Sequence, residues 1–241
     1  MSQRFFLDPI THTERLVTGS SLLLQGDQAH HAINVMRFNP GDQIVLFDGT
    51  GVEYSALVET VEKKAISLSI IEAIENPRSL QTQIAIAVAL PKGDRQKFLI
   101  EKLVELGVST LIPLKTSRSV AVANAKVIVR LEKQVIEASK QCGRNKLMEI
   151  QQPHTIEQMV QSADEGVKLL TNPYQGKPIA EYPNQQGRQF TVAIGPEGGF
   201  DDSEVELMIA NEFQPIRLGP AILRIETACV TIAAILGIGN E

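Results

Sequence analysis

Apolar and polar positions follow two rhythms along the chain. Over the first 74 residues the rhythm is that of β-structure. Residues 4–7 and 21–24 read as short strands, 43–47 and 53–61 as strands joined through Asp48-Gly49-Thr50-Gly51, and 65–73 alternates polar and apolar. One helical pattern, residues 27–36, interrupts them, with Asp27 placed to cap it. Several short strands with one small helix predict a compact β-barrel of about 70 residues.

Beyond a linker at 75–81, which holds Asn76-Pro77-Arg78-Ser79, strands alternate with helices. Residues 84–90 form a continuous apolar run, as a strand buried on both faces should. Pro91-Lys92-Gly93-Asp94 ends it. Residues 95–106 then carry Phe98, Leu99, Leu103 and Leu106 on an apolar side and Lys97, Glu101 and Glu105 on another, until Gly107 stops the helix. A strand at 109–114 completes a βαβ unit. The pattern continues with a helix at 126–141 and strands at 168–171, 190–194 and 215–218. A last helix at 222–237 is apolar all round, which argues for deep burial or a partner subunit. The chain is therefore read as α/β, with a small N-terminal barrel over 1–74 and a larger domain over 75–241.

Two breaks in that second rhythm point to chemistry. The strand at 190–194 stops at Gly195-Pro196, which neither a central strand nor a helix interior tolerates. Gly198-Gly199 then opens a backbone path closed to larger residues, or lets a ligand approach. Asp201 caps the next helix, with Glu204 three residues on as in a capping box. A strand ending in a glycine-rich loop that opens a helix is where an open α/β sheet binds ligands. It is no common phosphate loop: it lacks a Gly-Lys-Ser/Thr ending and G-x-G-x-x-G spacing. By turn chemistry alone, an ordinary tight turn is an equal alternative. Gly219-Pro220 makes a second break after 215–218, so two loops near the C-terminus can build one pocket from main-chain groups.

Ile194-Gly-Pro-Glu-Gly-Gly-Phe200, followed by Leu218-Gly-Pro-Ala-Ile-Leu-Arg-Ile-Glu-Thr-Ala228, resembles the RsmE family of the SPOUT methyltransferases. These methylate N3 of a uridine in 16S ribosomal RNA with S-adenosylmethionine. The likeness extends to His30-His31 with Val35 and Arg37, to Phe47-Asp-Gly-Thr-Gly51, and to Lys92-Gly-Asp-Arg95 through Glu105-Leu-Gly-Val108. It also takes in Arg118-Ser119 and Glu137 through Gln141-Cys-Gly-Arg144. It implies a PUA-like barrel that helps hold RNA, and a SPOUT domain with a C-terminal trefoil knot around the cofactor. It further implies a homodimer with the last helix near its interface, and the small ribosomal subunit as substrate. The implied cofactor residues are Leu170, Thr171, Ile194, Gly195, Gly198, Gly199, Leu218, Gly219, Ile222 and Leu223. The implied RNA contacts are Arg4, His30, His31, Arg37, Lys92, Arg95, Arg118, Lys140 and Arg144. Two departures put local RNA contacts in doubt: Pro220-Ala221 replaces a position that is often basic, and residues 145–148 lack a common proline.

Uracil N3 becomes a nucleophile only when its proton leaves. Arg118, Arg144 and Arg224 are the candidates to stabilise charge on the carbonyl oxygens, since a guanidinium is a good oxyanion partner. Glu197 and Glu226 are the carboxylates that can take the proton if desolvated. Water is the alternative acceptor, and a plain Arg224–Glu226 pair is the structural alternative.

Charge fits this picture only through its distribution. The chain of 241 residues carries a net charge of −5, but residues 115–146 hold eight Lys and Arg against two Glu. That run is either a footprint on phosphate or a solvated helix face. Aromatic residues are scarce, with no Trp, so base-stacking candidates reduce to Phe5, Phe6 and Phe200, for each of which core packing is the alternative. Adjacent His30 and His31 point in different directions on a helix, so no metal site is expected there. Two cysteines, Cys142 and Cys229, carry no metal-ligand spacing and read as small buried or half-buried residues. No apolar run reaches the length of a membrane span and the N-terminus has no signal-peptide core, which makes cytoplasm the expected compartment. Three functions remain open: the rRNA uridine methyltransferase, another SPOUT enzyme acting on tRNA or ribose, and a catalytically silent RNA-binding protein of the same fold.

Overall fold

A computed structural model describes residues 4–8, 16–76, 78–119, 123–163, 165–182 and 188–237. Pro77 of the expected linker lies outside the described residues. The chain groups into two compact units, residues 1–79 with 139–147, and residues 80–138 with 148–241.

The first unit is built on strands β1 (Arg4–Phe6), β2 (Ser21–Gln25), β3 (Gln43–Phe47), β4 (Val52–Val61) and β5 (Ala65–Glu75). They form one sheet in the order β1-β3-β4-β5-β2, antiparallel except for β1 beside β3. Alternation sets which side chains go inside: on β2, Leu22 and Leu24 are buried and Leu23 faces out. They join Phe5, Leu46, Ile66 and Leu68 in one apolar core. The expected helix divides into α1 (Gly26–His30) and a π-helical stretch, His31–Met36. Asp27 does not cap it. Gln25 holds the cap position without a side-chain bond, and Asp27 sits inside the first turn, where its charge favours the helix dipole.

A buried polar cluster fixes residues 139–147 within this unit. Asn145, fully buried, donates to Glu53 Oε2 at 3.1 Å and also to the Asn76 carbonyl, while Arg4 donates to its side-chain oxygen. Arg4 Nη1 lies 2.7 Å from Glu53 Oε2, and its guanidinium stands 5.1 Å from the Phe47 ring centroid. Burial alone would raise the Glu53 carboxyl; the hydrogen bonds from Arg4 and Asn145, with Arg78 nearby, outweigh that and hold it below the usual range.

The second unit begins with β6 (Gln83–Val88), α2 (Arg95–Glu105), β7 (Thr110–Lys115) and α3 (Ala125–Cys142). It continues through β8 (Glu149–Ile150), β9 (His154–Thr155), α4 (Ile156–Ser162), β10 (Val167–Thr171) and β11 (Lys177–Pro178). A 3-10 turn, β12 (Gln189–Ile194), α5 (Asp202–Ala210), β13 (Gln214–Arg217) and α6 (Ile225–Gly237) complete it. The strands pair parallel throughout, in the order β11-β13-β10-β12-β6-β7-β8, with β9 also beside β7. The central strands are buried on both faces, as their unbroken apolar runs require.

Three expectations change here. Helix α2 buries Leu99, Ile100, Leu103 and Val104, and leaves Phe98 46% exposed. The last helix starts at Ile225, not 222, and one of its sides stays open at Thr227 and Ile235. Cys142 is exposed, whereas Cys229 is fully enclosed and burial pushes its thiol far up.

Candidate functional site

Parallel register brings five loops of the second unit to one edge of the sheet. Val88 stands level with Ile194 and Pro113, Leu170 with Ala193, and Thr171 with Ile216. The strands therefore end together, and residues 89–94, 116–119, 172–176, 195–201 and 218–224 all leave from their carboxyl ends. Cross-strand bonds lock those ends. The Thr171 hydroxyl donates to the Ala193 carbonyl at 3.3 Å, Asn172 N–H to Ile216 O at 2.8 Å, and Ala89 N–H to Ile194 O at 3.2 Å.

The glycine loop after β12 is a tight turn closed by Gly199 N–H on the Pro196 carbonyl at 2.8 Å. Gly195 is closely packed: a Cβ would lie 3.2 Å from the Phe200 backbone and ring, so a larger residue would need Phe200 to give way slightly. Gly199 is different: its φ is +72°, yet nothing lies within 4 Å of the Cβ direction. Gly219, after β13, repeats the pattern at φ +147°. Two glycines with backbones closed to most side chains thus face open space at the ends of β12 and β13, on either side of β10. Such a pair leaves room for a ligand to approach the main chain closely, and S-adenosylmethionine, which can take main-chain bonds and apolar walls, would fit there. Leu170 and Ile194 are buried below the loops, Thr171, Leu218 and Leu223 are half-buried, and Ile222 is 70% exposed.

The capping box at α5 does more than start a helix. Asp201 accepts from Glu204 N–H at 2.8 Å, and Glu204 Oε2 from Asp201 N–H at 2.9 Å. Glu204 Oε1 also accepts from Ser117 N–H at 2.8 Å, which ties the loop after β7 to the glycine loop. The Glu204 backbone N–H, then the Ser203 hydroxyl, hold the Asp201 carboxyl down to about 2. Arg118, next to Ser117, then donates to the Gly198 carbonyl at 2.8 Å.

Arg95, at the start of α2, faces two carboxylates. Its Nη1 is 3.1 Å from Glu197 Oε1 in the glycine loop and 3.7 Å from Glu226 Oε2 in the first turn of α6. Glu226 is 7% exposed, and that oxygen has no hydrogen-bond partner. The Arg224–Glu226 pairing considered above is therefore not formed; Glu226 pairs with Arg95, and Arg224 is exposed. Gln96, buried, donates to the Pro91 carbonyl at 2.7 Å and accepts from Arg130, so it shapes the loop that carries Lys92. Nothing in the spacing pointed to Gln96; a polar residue amid the apolar side of α2 was the available signal.

The structure divides the remaining candidates. Lys92 is exposed beside the site, and Arg37, His30 and His31 are exposed on the first unit. His31 also stacks edge-on to Phe5 at 6.2 Å. Arg4 is corrected: 10% exposed and ion-paired, it holds the first unit together and offers no free guanidinium to phosphate. Arg144 is 4% exposed in the same unit, and burial lowers its guanidinium to about 10, still charged at neutral pH. Lys140, half-buried, is in that unit too. Of the catalytic candidates, Arg118 and Glu197 meet at the glycine loop, where Arg95 joins them. Among the described residues, no group of three or more His, Cys, Asp or Glu is placed to hold a metal ion, and no helix is long and apolar enough to cross a membrane.

Comparison with known proteins identifies the family. The family model of the RNA methyltransferase domain matches residues 78–237, and that of the RNA methyltransferase PUA domain matches residues 24–71. Ribosomal RNA small subunit methyltransferase E of Bacillus subtilis is 31% identical, with 94% of this chain and 92% of that protein aligned. The protein of the same name from Aquifex aeolicus is 30% identical over 90% of this chain and 94% of its own length. A putative methyltransferase from Legionella pneumophila, solved with bound cofactor SAM, superposes with a TM-score of 0.88 at 33% identity, covering 100% of this chain and 98% of its own. Ribosomal RNA small subunit methyltransferase E from Neisseria gonorrhoeae, bound to S-adenosyl methionine, gives 0.85 at 29% identity, covering 96% and 94%.

Proposed function

Because the chain belongs to the RNA methyltransferase family of ribosomal RNA small subunit methyltransferase E, we propose that it methylates N3 of a specific uridine in 16S ribosomal RNA. It is an S-adenosylmethionine-dependent rRNA methyltransferase. The choice of N3 follows the family resemblance; the observation that supports a methyl-donor pocket is the pair of positive-φ glycines, Gly199 and Gly219, facing open space at level strand ends with Arg118 fastened to the first loop.

The cofactor supplies a methyl group on a sulfonium and leaves as a neutral thioether. Main-chain groups of 195–199 and 218–223 would hold it, with Leu170, Thr171 and Ile194 lining the strand ends there. The chain's task is to make the uracil anion available and keep it aligned, and alignment alone supplies a large share of such a rate. Arg118 stabilises negative charge on a uracil carbonyl as the N3 proton departs. Water accepts that proton, or Glu197 once released from Arg95; at 47% exposure Glu197 is not the desolvated carboxylate that the sequence reading called for. Arg95 keeps Glu197 paired, and at 38% and 47% exposure that pair is worth about 0–1 kcal/mol, so it releases readily.

In this reading residues 1–74 form the barrel that holds RNA, and residues 75–241 carry out the transfer, except that 75–79 and 139–147 group with the first unit. The second domain is knotted. What supports the knot is that β10 and β11 are joined by only residues 172–176, yet β13, which comes later in the chain, lies hydrogen-bonded between them. The protein acts as a homodimer in the cytoplasm on the small subunit. The apolar side chains left open near and on α6, Ile222 at 70% and Ile235 at 38% exposure, support the dimer. Mass mapping of 16S rRNA from a deletion strain tests the assignment. The methyl on the target uridine should vanish and return with the gene; a methyl that persists overturns it.

A further inference from the structure

The stacking candidates suggested by sequence are largely withdrawn by the fold. Phe5 is 2% exposed in the first unit's core, Phe6 is half-buried against Phe47, and Phe200 packs half-buried against the second unit's core. Among the three Tyr and eight Phe of the chain, Tyr54 is buried and Tyr182 binds Gln214 Oε1 through its hydroxyl at 3.0 Å. Phe98 is 46% exposed. Tyr174 stands apart at 83%.

Its loop is built to hold it there. Asn172 Oδ1 accepts from the N–H groups of Tyr174, at 3.0 Å, and Gln175, at 3.1 Å, an Asx turn that fixes the local backbone. Asn172 N–H is itself bonded to Ile216 O at 2.8 Å. At the other end Gly176 has φ +107°, and a Cβ there would lie 2.3 Å from the Pro215 carbonyl oxygen, so the loop is pressed against β13. Tyr174 is three residues beyond Thr171, whose hydroxyl reaches the end of β12. Two exposed basic residues flank the loop: Lys177 directly after it, and Arg217 opposite Pro178 in the β11–β13 pairing. Residues 172–176 carry no charge of their own.

From this juxtaposition we propose that Tyr174 stacks on a base of the substrate RNA and orients the strand at the methyl-transfer site. An exposed aromatic ring on a fixed backbone turn, with cations close by in the chain and sheet, is the usual platform for an unpaired base, because every base offers a π-face and the cations follow the backbone. The inference rests on the RNA methyltransferase reading above. It assigns Tyr174 a positioning role, distinct from the groups that touch the reacting atoms.

The probe is 16S rRNA from a deletion strain, naked and in small subunits. Wild type must first bind it and methylate it; failure there overturns the parent reading and this inference together. Given that, Tyr174→Ala should weaken RNA binding by roughly 5- to 150-fold, the range seen when a stacked aromatic is lost. S-adenosylmethionine affinity and the melting temperature should not change, and Tyr174→Phe should keep RNA affinity. Tyr174→Trp would introduce the chain's single tryptophan, and its emission should be quenched as RNA is added. An Ala variant that binds and methylates RNA as wild type does, or Trp emission indifferent to saturating RNA, overturns the stacking role while leaving the methyltransferase reading intact.

Discussion

Gly199 allows the demands of the backbone to be separated from those of the ligand. Its φ of +72° is a conformation that costs an L-residue roughly 1–2 kcal/mol, and a β-branched one more. Nothing lies within 4 Å of where a Cβ would point, so in the protein alone the penalty is conformational only. Gly199→Ala should therefore lower the melting temperature by a few degrees, since each kcal/mol is worth about 2–4 °C in a chain of this size. Gly199→Asn should lose less, because Asn tolerates the left-handed region. Cofactor affinity should follow a different order. If the open space is where the methyl donor lies, any side chain intrudes, and Ala, Asn and Val should all weaken binding by at least about tenfold, or 1.4 kcal/mol. Titration calorimetry and thermal unfolding on the same preparations read both quantities. An Ala or Asn variant that loses stability but binds S-adenosylmethionine as wild type does would show that the glycine serves the turn, and the pocket assignment of this loop would fall.

Two further outcomes follow from the side-chain geometry. Arg118→Ala should leave S-adenosylmethionine binding near its wild-type value while kcat for methyl transfer drops by at least about tenfold, as expected for lost transition-state charge stabilisation; equal loss of cofactor affinity would assign Arg118 to the loop alone. Glu53 titrates below its ordinary value of 4.5 in the folded chain, so its contribution to stability is present above that pH and is lost as pH falls through the depressed folded value. Glu53→Gln should accordingly be less stable at neutral pH and show a shallower acid limb in urea unfolding between about pH 3 and 7, and parallel curves for the two proteins would refute the linkage.

What the sequence disclosed was whatever obeys local rules. Gly195-Pro196 must end a strand, Asp201 with Glu204 must start a helix, and both do so where the spacing placed them. The start of α4 obeys the same rule, with Thr155 and Gln158 forming a reciprocal box that the reading passed over. Long-range partners were not legible. Arg4 and Asn145 are 141 positions apart, and no periodicity foretells that they share Glu53. A basic residue near a family motif reads as a phosphate contact until packing shows it enclosed, as it does for Arg4 and Arg144. Phe98 failed in the opposite sense: helical spacing gave it an apolar side, but α2 turns its neighbours Leu99, Ile100 and Leu103 inward and leaves Phe98 outside that buried face. The place of β13 between β10 and β11 was equally hidden, because chain order carries no record of spatial order.

That last arrangement bears on how the molecule comes into being. A polypeptide released early, before residue 214, already holds every strand of the first unit, yet β10 and β11 still lack the strand that pairs between them. The set of level strand ends is thus complete only when the final stretch has been translated and seated, so a truncated product would keep the first unit's sheet and lack the loop of Gly219.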